Sequence, residues 1–326
     1  MQKLLSRGVS LLGLVVFGLA IVVLYHKVRG IHVIDVAIAM GQLSKSQIAT
    51  ALTFTALSYT INASYDLVAL KAMHSTVKAY LIAAPSFISH TISHNVGFGA
   101  LSGGSLRYRL YKRLGMSGGD VLYTVTFGLF SFWLGLLFLA GIVFIVTPPE
   151  IPPDLGLPPL PFFWIGITCL LVITFYMIGV IGGHSVRMWK WTISFPKFRY
   201  AVIQILVGAS DWIVASAVFY SLLPHTPGLT FFRVMHTFFL AQVFGLISQS
   251  PAGLGVFETV ILKLLPGGLP DSAVLSALLM YRLIYNVIPL SLATLLLGIG
   301  EVRHKQHQVG SVLKWSWRKI WKNKIE

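Results

Sequence analysis

The chain holds a single cysteine, Cys169, inside an apolar run, which excludes a disulfide framework and a thiolate metal site. Charge is scarce too, at 11% of 326 residues, against 56% hydrophobic residues and a mean hydropathy of +0.78. A soluble protein of this size could not hide so much apolar surface, so the composition implies a polytopic membrane protein. No phosphate-binding loop with a following Lys occurs, which argues against direct drive by ATP. His90 and His94 stand four apart, but position 91 is Thr where a zinc-protease helix needs Glu. The two histidines therefore read as polar residues lining a cavity. Gly97, Gly99 and Gly103 have the wrong spacing for a dinucleotide fingerprint and follow no strand. With no nucleophile–base set in view, the sequence implies neither an enzyme nor a cofactor.

What is present is basic and apolar. The net charge of +15 reads as loops facing the cytoplasm and anionic headgroups, not as a nucleic-acid surface. Lys3 and Arg7 precede the apolar run Gly8–Tyr25 like a signal peptide, but no small-x-small cleavage site follows. An uncleaved first helix is expected.

Unbroken spans are predicted over 9–25, 47–70, 120–146, 161–181, 201–222 and 273–299. Two further apolar regions, 79–106 and 231–265, are interrupted near their middles. The first break runs Ser93-His94-Asn95-Val96-Gly97-Phe98-Gly99 and on to Ser102-Gly103-Gly104-Ser105. The second is Ser248-Gln249-Ser250-Pro251-Ala252-Gly253-Leu254-Gly255-Val256-Phe257-Glu258. A bilayer offers no water to freed backbone groups, so non-helical backbone at depth survives only beside protein or a polar cavity. Such breaks mark substrate and ion sites in transporters.

Lys and Arg in 101–119, in 182–200 and in the tail after 300 place those segments in the cytoplasm. The Pro-rich loop Thr147–Pro161, with Glu150 and Asp154 but no Lys or Arg, reads as external; Lys27, Arg29 and Lys45 run against the rule. These assignments close only if each interrupted region enters and leaves on one side. The expected architecture is then all-α. It is an inverted repeat of two halves (1–150 and 151–302), each with three spanning helices and one re-entrant helical hairpin. A shift of 151 residues carries Gly104 to Gly255, Arg107 to Glu258 and Asp120 to Asp271. One transmembrane domain, 1–302, precedes a basic, Trp-rich cytoplasmic tail, 303–326, and both termini are expected inside.

Glu258 falls in the first turn after the second break, where a carboxylate complements a helix N-terminus. It also calls for a partner at that depth, and Arg282 is the nearest candidate. Arg107 and Arg109 have two readings: ordinary positive-inside residues, or ligands of a lipid phosphate helped by free amides at the first break. Asp66 and Asp211 are intramembrane carboxylates that either carry a proton or bond to hydroxyls such as Ser210.

Ser250-Pro251-Ala252-Gly253-Leu254-Gly255-Val256-Phe257-Glu258, with Tyr281-Arg282-x-x-Tyr285-x-x-x-Pro289, resembles the signature pair of the lysylphosphatidylglycerol synthase transmembrane-region family. That family includes bacterial inner-membrane proteins of the UPF0104 group. His94-Asn95-x-Gly97 and Arg107-Tyr108-Arg109 are similar to its first-half motif, and the likeness covers residues 1–300. Ala252 departs from it, standing where a second Gly is expected. The resemblance implies a flippase-like region in the bacterial inner membrane whose partners are membrane lipids, anionic or aminoacylated phospholipids. It implies lipid-binding roles for Glu258, Arg282, Arg107, Arg109, His94, Asn95, Pro251, Gly253, Gly255, Tyr281 and Tyr285. The family's soluble synthase domain is not expected, since few residues follow the last helix. The leading expectation is a lipid translocase. The alternatives are a non-transporting partner of a separate synthase and an ion-coupled carrier of a small solute.

Overall fold

The computed structural model describes residues 34, 38, 41–96, 99–149, 161–183, 185–188, 191–248, 253–265 and 269–302. The expected first span, 9–25, most of the Pro-rich loop, Pro251 and the tail 303–326 lie outside the described residues. Helix α1 (Lys45–Ala72) begins at a capping box, with Ser44 Oγ accepting from Gln47 N at 3.2 Å and Gln47 Oε1 accepting from Ser44 N at 3.0 Å. Helices α2 (Ala79–Val96) and α3 (Gly99–Lys112) follow, packed on each other. Helix α4 (Gly118–Val146) starts at a second capping box, Ser117 with Asp120. Helix α5 (Phe162–Ile181) leads to a hairpin of β1 (Ser185–Met188) and β2 (Trp191–Ser194). This small antiparallel pair is the one departure from an all-helical chain among the described residues. Then come α6 (Phe198–Ser221), α7 (Phe231–Ile247), α8 (Val256–Leu264) and α9 (Asp271–Val302).

Helices α4, α5, α6 and α9 are long and apolar enough to cross a membrane. Their outward faces are apolar: Phe175 and Ile181 on α5 are each 70% exposed. That suits lipid and would not suit water. The spans predicted at 47–70, 120–146, 161–181, 201–222 and 273–299 are single helices. The two interrupted regions are each described as two helices, α2/α3 and α7/α8, with 97–98 and 249–252 between them outside the described residues. The first break is shorter than expected, because Ser102–Ser105 lie within α3. Arg107 is therefore not in a first turn but two turns further along.

Close helix packing rests on glycine. A Cβ on Gly208 of α6 would sit 2.0 Å from Ser131 O of α4, and one on Gly135 of α4 would sit 2.1 Å from Gly208 C. The α4–α6 crossing thus brings two backbones together with no side chain between them. Elsewhere the core is aromatic. Phe219, Phe238, Phe257 and Tyr281 meet edge-on, tilted or stacked with centroids 5.6–6.3 Å apart, tying α6, α7, α8 and α9.

Helix α9 contains a π-helical stretch, Arg282–Val287. Its cause is legible: Pro289 has no N–H to offer the carbonyl of Tyr285 four residues earlier. Tyr59 on α1 supplies a donor instead, its hydroxyl reaching Tyr285 O at 2.9 Å.

Candidate functional site

The second break is held by backbone geometry that favours glycine. Gly253 has φ +65° and Gly255 has φ +82°. A Cβ on Gly253 would lie 3.1 Å from Cα of Gly245, so α7 and the returning chain are in backbone contact. Gly255 N donates to Glu258 Oε2 at 2.8 Å, using the carboxylate to satisfy the helix start. The other oxygen, Oε1, accepts from Arg282 Nε on the π-helical stretch. The ion pair expected between Glu258 and Arg282 is formed. It joins the broken helix to α9.

Tyr281 and Tyr285 belong to the same assembly. Their rings stack at 5.1 Å and 13°, and Tyr281 stacks in turn on Phe257 at 5.7 Å and 18°. A continuous aromatic column runs from the π-helical stretch to the residue beside Glu258.

The first broken pair carries a different polar centre. Asp66, on α1 and fully buried, accepts through Oδ2 from Ser86 Oγ at 2.6 Å, from Arg107 Nε at 3.3 Å and from the Tyr111 hydroxyl. Arg107 also donates to His90 Nε2. A guanidinium cannot accept, so that nitrogen is the acceptor of this bond; it also lies 3.5 Å from Asp66 Oδ2. Arg107 is thus buried in an ion pair, with Asp66 as the anion behind it. Arg109 points elsewhere, donating to Glu301 at 2.6 Å at the end of α9 alongside Arg113. Asn95 turns its amide back to Thr91 O at 2.7 Å.

Asp211, on α6, forms the third centre. Its Oδ1 accepts from Ser58 Oγ at 3.0 Å and Asn62 Nδ2 at 2.9 Å, and its Oδ2 from the Tyr65 hydroxyl at 3.0 Å. Asp211 thus bonds to hydroxyls, as one reading expected, but the one named there, Ser210, bonds to Leu206 O. Ser58 Oγ also lies 2.9 Å from the Tyr285 hydroxyl.

These centres surround one cavity of about 290 Å³. The first broken pair contributes His90, His94 and Arg107 to its wall, and the second contributes Gly245, Gly253 and Phe257. Asp211 enters from α6, and Arg282 and Tyr285 from α9. So His94, Arg107, Gly253, Tyr281, Arg282 and Tyr285 are brought together, while Glu258, Gly255, Arg109 and Asn95 are not part of the wall, Glu258 standing behind Arg282. Sequence reading missed Ser58, Asn62 and Tyr65. Their signal was a polar stripe at three- and four-residue spacing along an otherwise apolar helix, beginning at Thr55. Among the described residues no group of three or more His, Cys, Asp or Glu side chains converges for a metal.

No family model matches the chain. An uncharacterized protein of Synechocystis, slr0712, is 35% identical over 317 residues, covering 95% of this chain and 98% of that protein. The inner membrane protein YbhN of Escherichia coli is 30% identical over 262 residues, 79% of this chain and 81% of YbhN. Phosphatidylglycerol lysyltransferase of Staphylococcus haemolyticus is 24% identical over 299 residues. The chain belongs to the lysylphosphatidylglycerol synthase transmembrane-region family. Within that family it spans 34% of the length of the Staphylococcus haemolyticus lysyltransferase, and 90% of its own length takes part in the match.

Proposed function

We propose that the protein is an inner-membrane lipid translocase that passes a phosphate-bearing headgroup between leaflets through the cavity between the two broken helix pairs. The observation that carries this reading is the cavity itself, bounded by both pairs and holding Arg107 and Arg282. Each guanidinium is fixed by a carboxylate, Asp66 or Glu258, so two oriented cations stand at one site. A phosphate between them would be held while the acyl chains remain in lipid.

Read as an inverted repeat, the chain would offer an alternating route. Helices α2, α3, α7 and α8 have 18, 14, 17 and 9 residues. At 1.5 Å per residue none exceeds about 27 Å, short of a bilayer core of about 30 Å. Each pair is read as a re-entrant hairpin, dipping from opposite sides. Shifting α1, α2 and α4 by 151 residues brings their starts within about two residues of those of α6, α7 and α9. Two related halves rocking about a midplane site would lower the barrier that hydrocarbon sets against a polar headgroup. The relatives named for the inner membrane and for phosphatidylglycerol point to the same compartment and lipid class.

The test is leaflet exchange of fluorescent phospholipids in proteoliposomes, comparing native protein with Glu258→Gln. Exchange above empty vesicles that is lost in the folded variant supports the reading. Exchange equal to empty vesicles for every headgroup, from folded native protein, overturns it.

A further inference from the structure

Three carboxylates, Asp66 and Asp211 buried and Glu258 partly so, border the cavity or its cations, and two are matched by an arginine: Asp66 by Arg107 and Glu258 by Arg282. Asp211 is different. It is 4% exposed, lines the cavity, and among the described residues receives only neutral donors, from Ser58, Asn62 and Tyr65. A buried carboxylate without a cation is costly in its ionised form, and membrane proteins use such groups for proton relay.

We propose that Asp211 takes up a coupling proton from the cavity and passes its protonation state to the broken helix through Ser58, Tyr285 and Tyr281. This rests on the translocase reading and deepens it. A proton arriving from the aqueous phase converts the carboxylate to a neutral acid, and one oxygen changes from acceptor to donor. Ser58 can absorb that change. Its hydroxyl and that of Tyr285 are 2.9 Å apart, and either can be the donor. With Asp211 ionised, Ser58 donates to it and Tyr285 donates to Ser58. With Asp211 protonated, the acid donates to Ser58, which turns to donate to Tyr285. The reversal ends on the π-helical stretch, whose Tyr285 ring stacks on Tyr281 and so on Phe257, next to Glu258.

Other groups facing Asp211 do not replace it. From α1 come Tyr65 and Tyr59, and from α2 come His94 and His90, whose ring lies 5.9 Å from that of Tyr65. Arg107 on α3 and Arg282 on α9 are held by their own carboxylates, while α4 and α7 bring Trp133 and Gln242. A proton on Asp66 would leave Arg107 buried without its anion. Electrostatics also ties the two ligands together. An entering phosphate opposes the charge on Asp211, so headgroup and proton favour each other's binding.

The experiment is a pH titration of the full chain in phosphatidylcholine bilayers, followed by infrared absorption of the protonated carboxyl C=O stretch. The expected result is a band that appears on acidification in native protein and in the double variant Asp66→Asn/Arg107→Gln, is absent from Asp211→Asn, and returns shifted in Asp211→Glu. The same band in Asp211→Asn overturns the proposal. In the exchange assay, an imposed pH gradient should change the rate for native protein and not for Asp211→Asn. Tyr285→Phe should keep the infrared band and lose the gradient response. A gradient response surviving in Asp211→Asn overturns the coupling. The infrared signal needs no transport: a band lost in Asp211→Asn without any leaflet exchange would sink the translocase reading and leave the proton site. Exchange without such a band would do the reverse.

Discussion

The hydroxyl of Tyr59 donates to the backbone carbonyl of Tyr285 at 2.9 Å, across the interface between α1 and α9. That carbonyl is the one that Pro289 leaves without its α-helical donor. Tyr59→Phe should therefore destabilise the protein by about 1–3 kcal/mol, the cost of a buried acceptor left unsatisfied. Thermal unfolding in detergent reads this. Adding Pro289→Ala, which restores an N–H, should recover part of the loss; no recovery would mean that Tyr59 acts by some other route.

Glu258 and Arg282 should behave as a unit. Their side chains are 23% and 10% exposed, so either single replacement by Gln leaves a partly buried charge, at a cost of about 2–3 kcal/mol. The Gln/Gln double variant should be more stable than the sum of the two singles predicts. A thermal double-mutant cycle measures the difference, and additive effects would remove the pair from the account.

At the α4–α6 crossing, Gly208→Ala and Gly135→Ala should each cost about 1–3 kcal/mol or more, because the added methyl meets backbone that cannot turn aside. Gly104→Ala, whose Cβ would find Val125 at 3.8 Å, should be nearly neutral. Folded yield and melting temperature distinguish them. Equal tolerance at all three positions would contradict the close crossing.

Much of this was readable in the chain, for identifiable reasons. The second break is marked by residues that cannot continue a helix unaided, and Gly253 and Gly255 do take positive φ. Glu258 and Arg282 were legible as a pair because each is a rare charge in an apolar stretch. The Gly-Ser run at 102–105 misled, since helix α3 tolerates those glycines beside α4. The pairing of Arg107 with Asp66 was not legible, because the two lie 41 residues apart, on helices whose facing sides no local pattern reveals. Ser210 was offered as the partner of Asp211 from adjacency alone. Consecutive helical residues point about 100° apart, so Ser210 turns back to Leu206 O while Asp211 faces α1.

Asp66 and Arg107 carry a further expectation. Asp66→Asn should leave Arg107 buried with its charge uncompensated and lower stability by about 3–5 kcal/mol. Arg107→Gln with Asp66→Asn should restore folding without restoring headgroup exchange. Exchange at the native rate in that folded double variant would remove Arg107 from the headgroup site.

The central claim is that a headgroup crosses through the cavity, and Gly128 gives the most direct access to it. Gly128 on α4 lines the cavity, and a Cβ there would find Tyr65 Cβ at 3.8 Å, an ordinary contact. Gly128→Leu should fill the passage from one wall without forcing helices apart. The measurement is leaflet exchange of a fluorescent phosphatidylglycerol by native protein and by Gly128→Leu, with melting temperatures recorded for both. The account predicts exchange well above empty vesicles for the native protein and at their level for the folded variant. Native exchange that the filled cavity leaves untouched, or no exchange from folded native protein, would contradict it.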